Sequence, residues 1–253
     1  MTAMILVYSV FFFLFGALLA SFYQLIAERI PNSESISGRS YCPKCHHQLR
    51  MVDILPIFGY LINRGRCHFC QSKIPLSHLL IETLGGTLFV ISYLLIGFQL
   101  ELIIALILIS VLLIESISDY EKTIVIDRVW MIAIVPVVVI RIIQGEILSY
   151  LLSAGVLFGF LYLVSTIGKS IAKKEVLGGG DVKLYLFIGL TLTLIPAFLS
   201  LFLASLFGLI YSLAQKNKAN RMIALVPFIF MGVLIAYFFG NAMIAWYLNL
   251  LGM

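Results

Sequence analysis

The sequence predicts an all-α polytopic membrane protein, and three observations carry that reading. Its 253 residues are 62% hydrophobic and only 11% charged, whereas soluble domains are roughly half apolar and about a quarter charged. Apolar runs long enough to cross a bilayer recur along the chain, each crossing needing about 20 residues. The basic residues cluster in the short polar segments between those runs. A soluble enzyme is excluded, and no nucleic-acid partner is expected.

About eight transmembrane helices are expected, at 4–27, 79–97, 101–118, 124–142, 147–168, 182–197, 199–214 and 222–240. The first begins without a basic n-region, since Glu28 is the first charged residue, so it reads as a retained helix. The stretch 184–215 is too long for one crossing, and Pro196 is expected to mark a turn within it. The tail 241–253 is apolar and is expected to lie on the membrane surface. The segments 28–78, 119–128, 169–183 and 215–221 hold sixteen of the seventeen Lys and Arg residues. With eight spans all four fall on one side, which the positive-inside rule makes cytoplasmic. Arg141, the remaining one, is expected to snorkel to the outer interface.

Three regions follow: a first transmembrane helix (1–31), a polar module (32–78) and a membrane domain (79–253). The module contains two C-x-x-C pairs, Cys42/Cys45 and Cys67/Cys70. Each pair can turn two sulfurs toward one ion, and four thiolates close a tetrahedral structural zinc site. A reducing cytoplasmic setting favours that reading over disulfides. His46, His47 and His68 are expected to be solvent-facing neighbours. A module this small has little core, so the metal is expected to supply much of its folding energy.

Acids at a membrane boundary are functional candidates by default. Asp119 ends the third expected span and Asp181 opens the sixth, behind Gly178, Gly179 and Gly180. Topology puts both at one depth on one side. The glycines are expected to adopt backbone angles closed to other residues, or to let another segment approach closely. Two adjacent carboxylates can share a proton, one acting as general base and the other polarising a carbonyl. Glu115, four residues before Asp119, shares its helix face and is expected to make an interior polar contact. Lys183 is expected to meet lipid headgroups. Gly85 and Gly86 are expected to serve helix packing.

In order along the chain stand FGALLASFYQLIAERIP, the paired cysteines with RGRCHFC, IPLSHLLIE, an Asp ending the third span, and GGGDVKL. Over nearly its full length this set resembles the type IV prepilin peptidases, G-x-G-D aspartic membrane proteases that also methylate the new N-terminus. The resemblance implies Asp119 and Asp181 as the catalytic pair. Asp127, Lys183 and the three glycines are then a supporting catalytic loop. It links Ser21, Gln24 and Glu82 to methyl transfer, with S-adenosylmethionine as donor. For Glu82, pairing with an Arg of the cysteine module is the competing expectation. Two departures stand out. No Pro precedes Asp127, and Ala20-Ser21-Phe22-Tyr23-Gln24 replaces the family's Gly-Ser-Phe-x-Asn. The second leaves open a peptidase without methyltransferase activity. The implied substrates are prepilins or pseudopilins, cut at the cytoplasmic face of the bacterial cytoplasmic membrane. A transporter using the two acids as ion sites is the reading from another class, but transport sites gather near the midplane. A scaffold anchored by its spans and docking through the zinc module is the third. No oligomeric state is legible.

Overall fold

The computed structural model describes residues 2–173, 177–214, 224–250 and 252. Among these residues there are ten helices and no strand: α1 (Thr2–Arg29), α2 (Met51–Ile54), α3 (Phe58–Ile62), α4 (Leu76–Ile96), α5 (Leu100–Lys122), α6 (Asp127–Gln144), α7 (Ile147–Ala172), α8 (Gly179–Thr191), α9 (Leu194–Ala214) and α10 (Val226–Leu250). Six of them, α1, α4, α5, α7, α9 and α10, are long and apolar enough to cross a membrane. α6 and α8 also occupy expected spans, yet neither has that length and composition. At 13 residues, α8 reaches only about 20 Å, short of the hydrocarbon thickness. The chain is a multi-pass membrane protein with six helices of crossing length and composition among the described residues. The basic segment 215–221 and Lys174, both used in orienting it, lie outside the described residues.

The chain divides into two compact units, Met1–Ile114 and Glu115–Met253, the division falling within α5. In the first, α1 packs along α4. Gly16, Gly85 and Gly86 bring the two backbones together: a Cβ on Gly85 would stand 2.6 Å from the Ala20 Cβ, and one on Gly86 would stand 2.7 Å from the Phe13 carbonyl. Small residues at such a seam let helices gain dispersion contacts where no hydrophobic drive exists. Tyr23 donates to the Ser110 hydroxyl at 2.6 Å and ties α1 to α5.

In the second unit α8 is packed by α6 and α7, and α9 pairs with α10. Three expectations are corrected here. The break near Pro196 falls earlier, at Leu192–Thr193, because Pro196 sits in the first turn of α9, where its missing N–H costs nothing. The surface tail does not form: α10 continues unbroken to Leu250. Arg141 does not snorkel. It is 1% exposed, stacks on Tyr150 with its guanidinium carbon 3.7 Å from the ring centre, and donates to Thr191 O at 2.9 Å and Leu190 O at 3.4 Å. Those are the last carbonyls of α8. A helix that stops within an apolar surround leaves them unsatisfied, and Arg141 supplies the donors.

Candidate active site and cysteine cluster

The acid-bearing site is built from helix ends. Asp119 lies in the last turn of α5 and is 6% exposed. Its Oδ2 accepts the backbone N–H of Val226 at 2.9 Å, the first residue of α10. Asp181 is the third residue of α8. Its carboxylate folds back onto the backbone of Gly178, the N-cap, as in half of a capping box. Asp119 and Asp181 lie within electrostatic reach of each other. Each carboxylate therefore sits at a helix N-terminus, where partial positive charge favours an anion.

The glycines act through space, and the expectation of unusual backbone angles is corrected. None of Gly178, Gly179 or Gly180 has a positive φ. A Cβ on Gly178 would meet the Asp181 carboxylate at 2.8 Å, and one on Gly180 would meet the Val125 Cβ at 2.7 Å. A Cβ on Gly179 would meet nothing within 4 Å. Gly178 thus makes room for the acid, and Gly180 for the extended segment 124–126.

That segment is pinned from α5. Glu115, 0% exposed, accepts the Ile126 N–H at 2.7 Å through Oε2. Ser118 donates to the Ile124 carbonyl at 2.8 Å. Asp127 follows as the first residue of α6, taking Lys183 Nζ at 2.7 Å and Trp130 Nε1 at 3.3 Å. Lys183 accordingly pairs with Asp127, which corrects the expected headgroup contact. Two elements escaped the sequence reading: Val125, and the α10 N-terminus against Asp119. The Val226-Pro227 pair was the available sign, because Pro favours a first helical turn.

The residues linked to methyl transfer gather at one end of the α1–α4 pair. Gln24 donates to Ala20 O at 3.4 Å and more loosely to His78 O at 3.5 Å, and Ser21 lies on the same helix, half-buried. Glu82, one turn beyond His78 on α4, accepts the Ile57 N–H at 2.7 Å. The expected pairing of Glu82 with an Arg of the module gives way to this backbone contact.

The four cysteines converge: all four Sγ atoms lie within 4.8 Å of one another, and Cys42 and Cys70 stand 3.8 Å apart. A tetrahedral site with metal–sulfur bonds of about 2.3 Å has edges of about 3.8 Å. The donor set and spacing therefore fit a four-thiolate metal centre. Two matching knuckles build it. Cys42 N–H bonds His47 O, as Cys67 N–H bonds Ser72 O, and a bridge closes each, Tyr41 with Gln48 and Arg66 with Lys73. His46 and Gln71 take the same left-handed turn position. The backbone of Cys45 pulls the Cys42 thiol down to about 6 and the Ser72 hydroxyl lowers Cys70, whereas Cys45, despite the His47 backbone, is pushed up by the neighbouring thiols, so thiolate character is uneven across the cluster. His46, His47 and His68 are exposed and outside the cluster.

A helical membrane protein with two acids at converging helix N-termini and a separate four-thiol knuckle module is the class these features define. Residues 14–96 match the bacterial peptidase A24 N-terminal domain and residues 106–213 match the type IV leader peptidase family. The chain belongs to the type IV leader peptidase family. It is 30% identical to a prepilin leader peptidase/N-methyltransferase of Bacillus subtilis, over 94% of this chain and 97% of that protein. It is 28% identical to the protein of that name from Myxococcus xanthus, over 85% of this chain and 65% of the relative. For the one from Neisseria gonorrhoeae the figures are 29%, 74% and 66%. No solved structure matches the chain.

Proposed function

We propose that this protein cleaves the leader peptide from type IV prepilins or pseudopilins at the cytoplasmic face of the membrane, with Asp119 and Asp181 as the catalytic pair. The observation that carries the assignment is the approach of these two carboxylates from different helices, each at a helix N-terminus. Two helix dipoles favour one negative charge, and mutual repulsion disfavours a second, so the pair titrates as a unit holding one proton. The ionised member takes a proton from water, whose oxygen attacks the scissile carbonyl carbon. The protonated member donates its hydrogen bond to the carbonyl oxygen. Collapse of the tetrahedral adduct breaks the C–N bond, and the amine leaves with a proton from the pair. Asp127, clamped by Lys183, and Gly178 and Gly180 hold the geometry without joining the chemistry.

The thiol cluster holds zinc in this reading, as a closed structural site. N-methylation of the new terminus is the second proposed activity, with S-adenosylmethionine supplying the methyl group. The polar groups of Gln24 and Glu82 are engaged by backbone, so Ser21, Gln24 and Glu82 form no evident cradle for the donor, and no step is assigned to them.

The test is co-expression with a prepilin-like substrate, reading its mass in strains carrying wild type, Asp119→Ala or Asp181→Ala. Leader removal by wild type alone, with both variants still inserted, supports the pair. Wild-type cleavage by either variant refutes it. The same spectrum reports an added methyl group.

A further inference from the structure

Residues 50–63, between the two cysteine pairs, are built inside out. α2 and α3 form a small hairpin whose polar contacts face inward. Asp53 accepts the Arg50 backbone N–H at 3.0 Å, the Arg50 guanidinium at 2.9 Å and Asn63 Nδ2 at 2.9 Å. Asn63 also donates to Gly59 O at 2.9 Å. The two helices touch through backbone, since a Cβ on Gly59 would stand 2.4 Å from Asp53 O. Between them Ile57 has φ 64 and ψ −53, and Phe58 N–H reaches Pro56 O at 2.6 Å. This is the rare, strained form of γ-turn, and a β-branched residue is a poor occupant of it. The Glu82 carboxylate holds the Ile57 N–H in place.

Around this polar interior the apolar side chains point outward. Met51 is 79% exposed and Leu61 57%, and Ile54, Leu55, Phe58 and Ile62 are exposed with them. A hairpin selected for water would have the opposite arrangement, and contiguous apolar patches of this kind mark interaction surfaces.

Its level relative to the bilayer follows from Glu82. α4 has 21 residues, about 31 Å, so nearly all of it is needed to cross a hydrocarbon core of about 30 Å. Glu82 is its seventh residue, roughly 9 Å along the axis from Leu76. By holding Ile57, it sets the hairpin beside the second turn of α4, roughly 9 Å in from the end of the span, within the depth of about 5–10 Å that interfacial apolar faces reach. On α4 itself Leu76 and Leu80 are exposed at the same level. Charge agrees: between residues 50 and 75 one acid, Asp53, stands against Arg50, Arg64, Arg66 and Lys73. Basic residues flanking an apolar face suit anionic headgroups.

We propose that residues 51–62 lie in the plane of the membrane, with their apolar side chains inserted among the acyl chains of an anionic lipid surface, so that the cysteine module rides on the bilayer. This stands independently of the proteolytic reading.

The test places a photoreactive benzoylphenylalanine at Phe58 or Leu61, and for comparison at exposed Lys44, in the full chain. The protein is reconstituted into vesicles of phosphatidylethanolamine and phosphatidylglycerol, and retained zinc reports an intact module. Lipid adducts at positions 58 and 61 at least about fivefold above position 44 are expected for in-plane insertion. Equal yields at all three positions would overturn the proposal. So would adducts at 58 and 61 that join protein in place of lipid, whether the chain's own spans, a second copy or a co-expressed prepilin.

Discussion

Around Asp119 and Asp181 the carboxylates are met by helix termini and a short extended segment is pinned beside them, with Glu115 Oε1 and Ser116 Oγ left unmatched, and apolar packing encloses them. In the cysteine module Asp53 and Asn63 are likewise hydrogen-bonded, but the enclosing layer is missing, and the apolar side chains face outward. The first region is stabilised by its own core. On the readings proposed above, the second depends on groups outside the polypeptide, a metal at one end and lipid along one side. Damage to the acid site should therefore show mainly in catalysis. Damage to the module should show first in local folding.

The largest effect is expected at the pair. Asp119→Ala or Asp181→Ala should each lower leader cleavage at least about 10³-fold, and the double variant should add little, because residues acting as a unit are not additive. Rates measured by substrate mass check this. Next comes the metal. Cys42→Ser removes a buried ligand and should abolish zinc binding, with faster proteolysis inside 40–75 and an unchanged pattern in α7–α10. Zinc analysis with limited proteolysis reads both, and uniform loss of the whole chain would erase the contrast between the two regions.

Glycine substitutions sharpen the comparison within the acid site. Gly180→Ala drives a methyl group into Val125, an overpacking cost of about 1–3 kcal/mol, and should lower kcat by roughly tenfold or more. Gly179→Ala meets open space at the first position of α8, so it should cleave nearly as wild type. Equal effects at the two positions would show that crowding is not the reason for glycine here. Glu115→Gln keeps an acceptor for Ile126 N–H, whereas Glu115→Leu leaves that donor buried and unmatched at about 1–3 kcal/mol. The Leu variant should lose more thermal stability than the Gln variant.

The smallest effect concerns pH. The Arg50 guanidinium holds the Asp53 carboxyl well below the usual carboxylate range. A depressed folded value means the stabilisation is fully present above the unfolded value of about 3.9 and fades as pH falls below it. Proteolysis at the 50–63 hairpin should therefore rise as pH drops under about 4, and Asp53→Asn should flatten that dependence.

Much of this was legible in the chain itself. The paired cysteines announce themselves because metal-ligand spacing is local, with two residues between the members of each pair. The helical membrane class follows from composition and run length, since lipid leaves the backbone few alternatives. The acids stand out because charge is scarce in such a sequence. What depended on contacts between distant residues was not readable. Arg141 looked like an outer snorkelling residue because nothing nearby in sequence reveals that α8 stops at Thr191 and needs donors. Gly180 looked conformational because its partner, Val125, lies 55 positions earlier. Pro196 looked like a helix end because a proline in a first turn and one after a last turn are alike without coordinates. Composition and local spacing thus determined the class and the metal-ligand set. Only the tertiary structure decided which helix ends converge on the carboxylates and which faces stay bare, because those depend on packing between segments that no local pattern records.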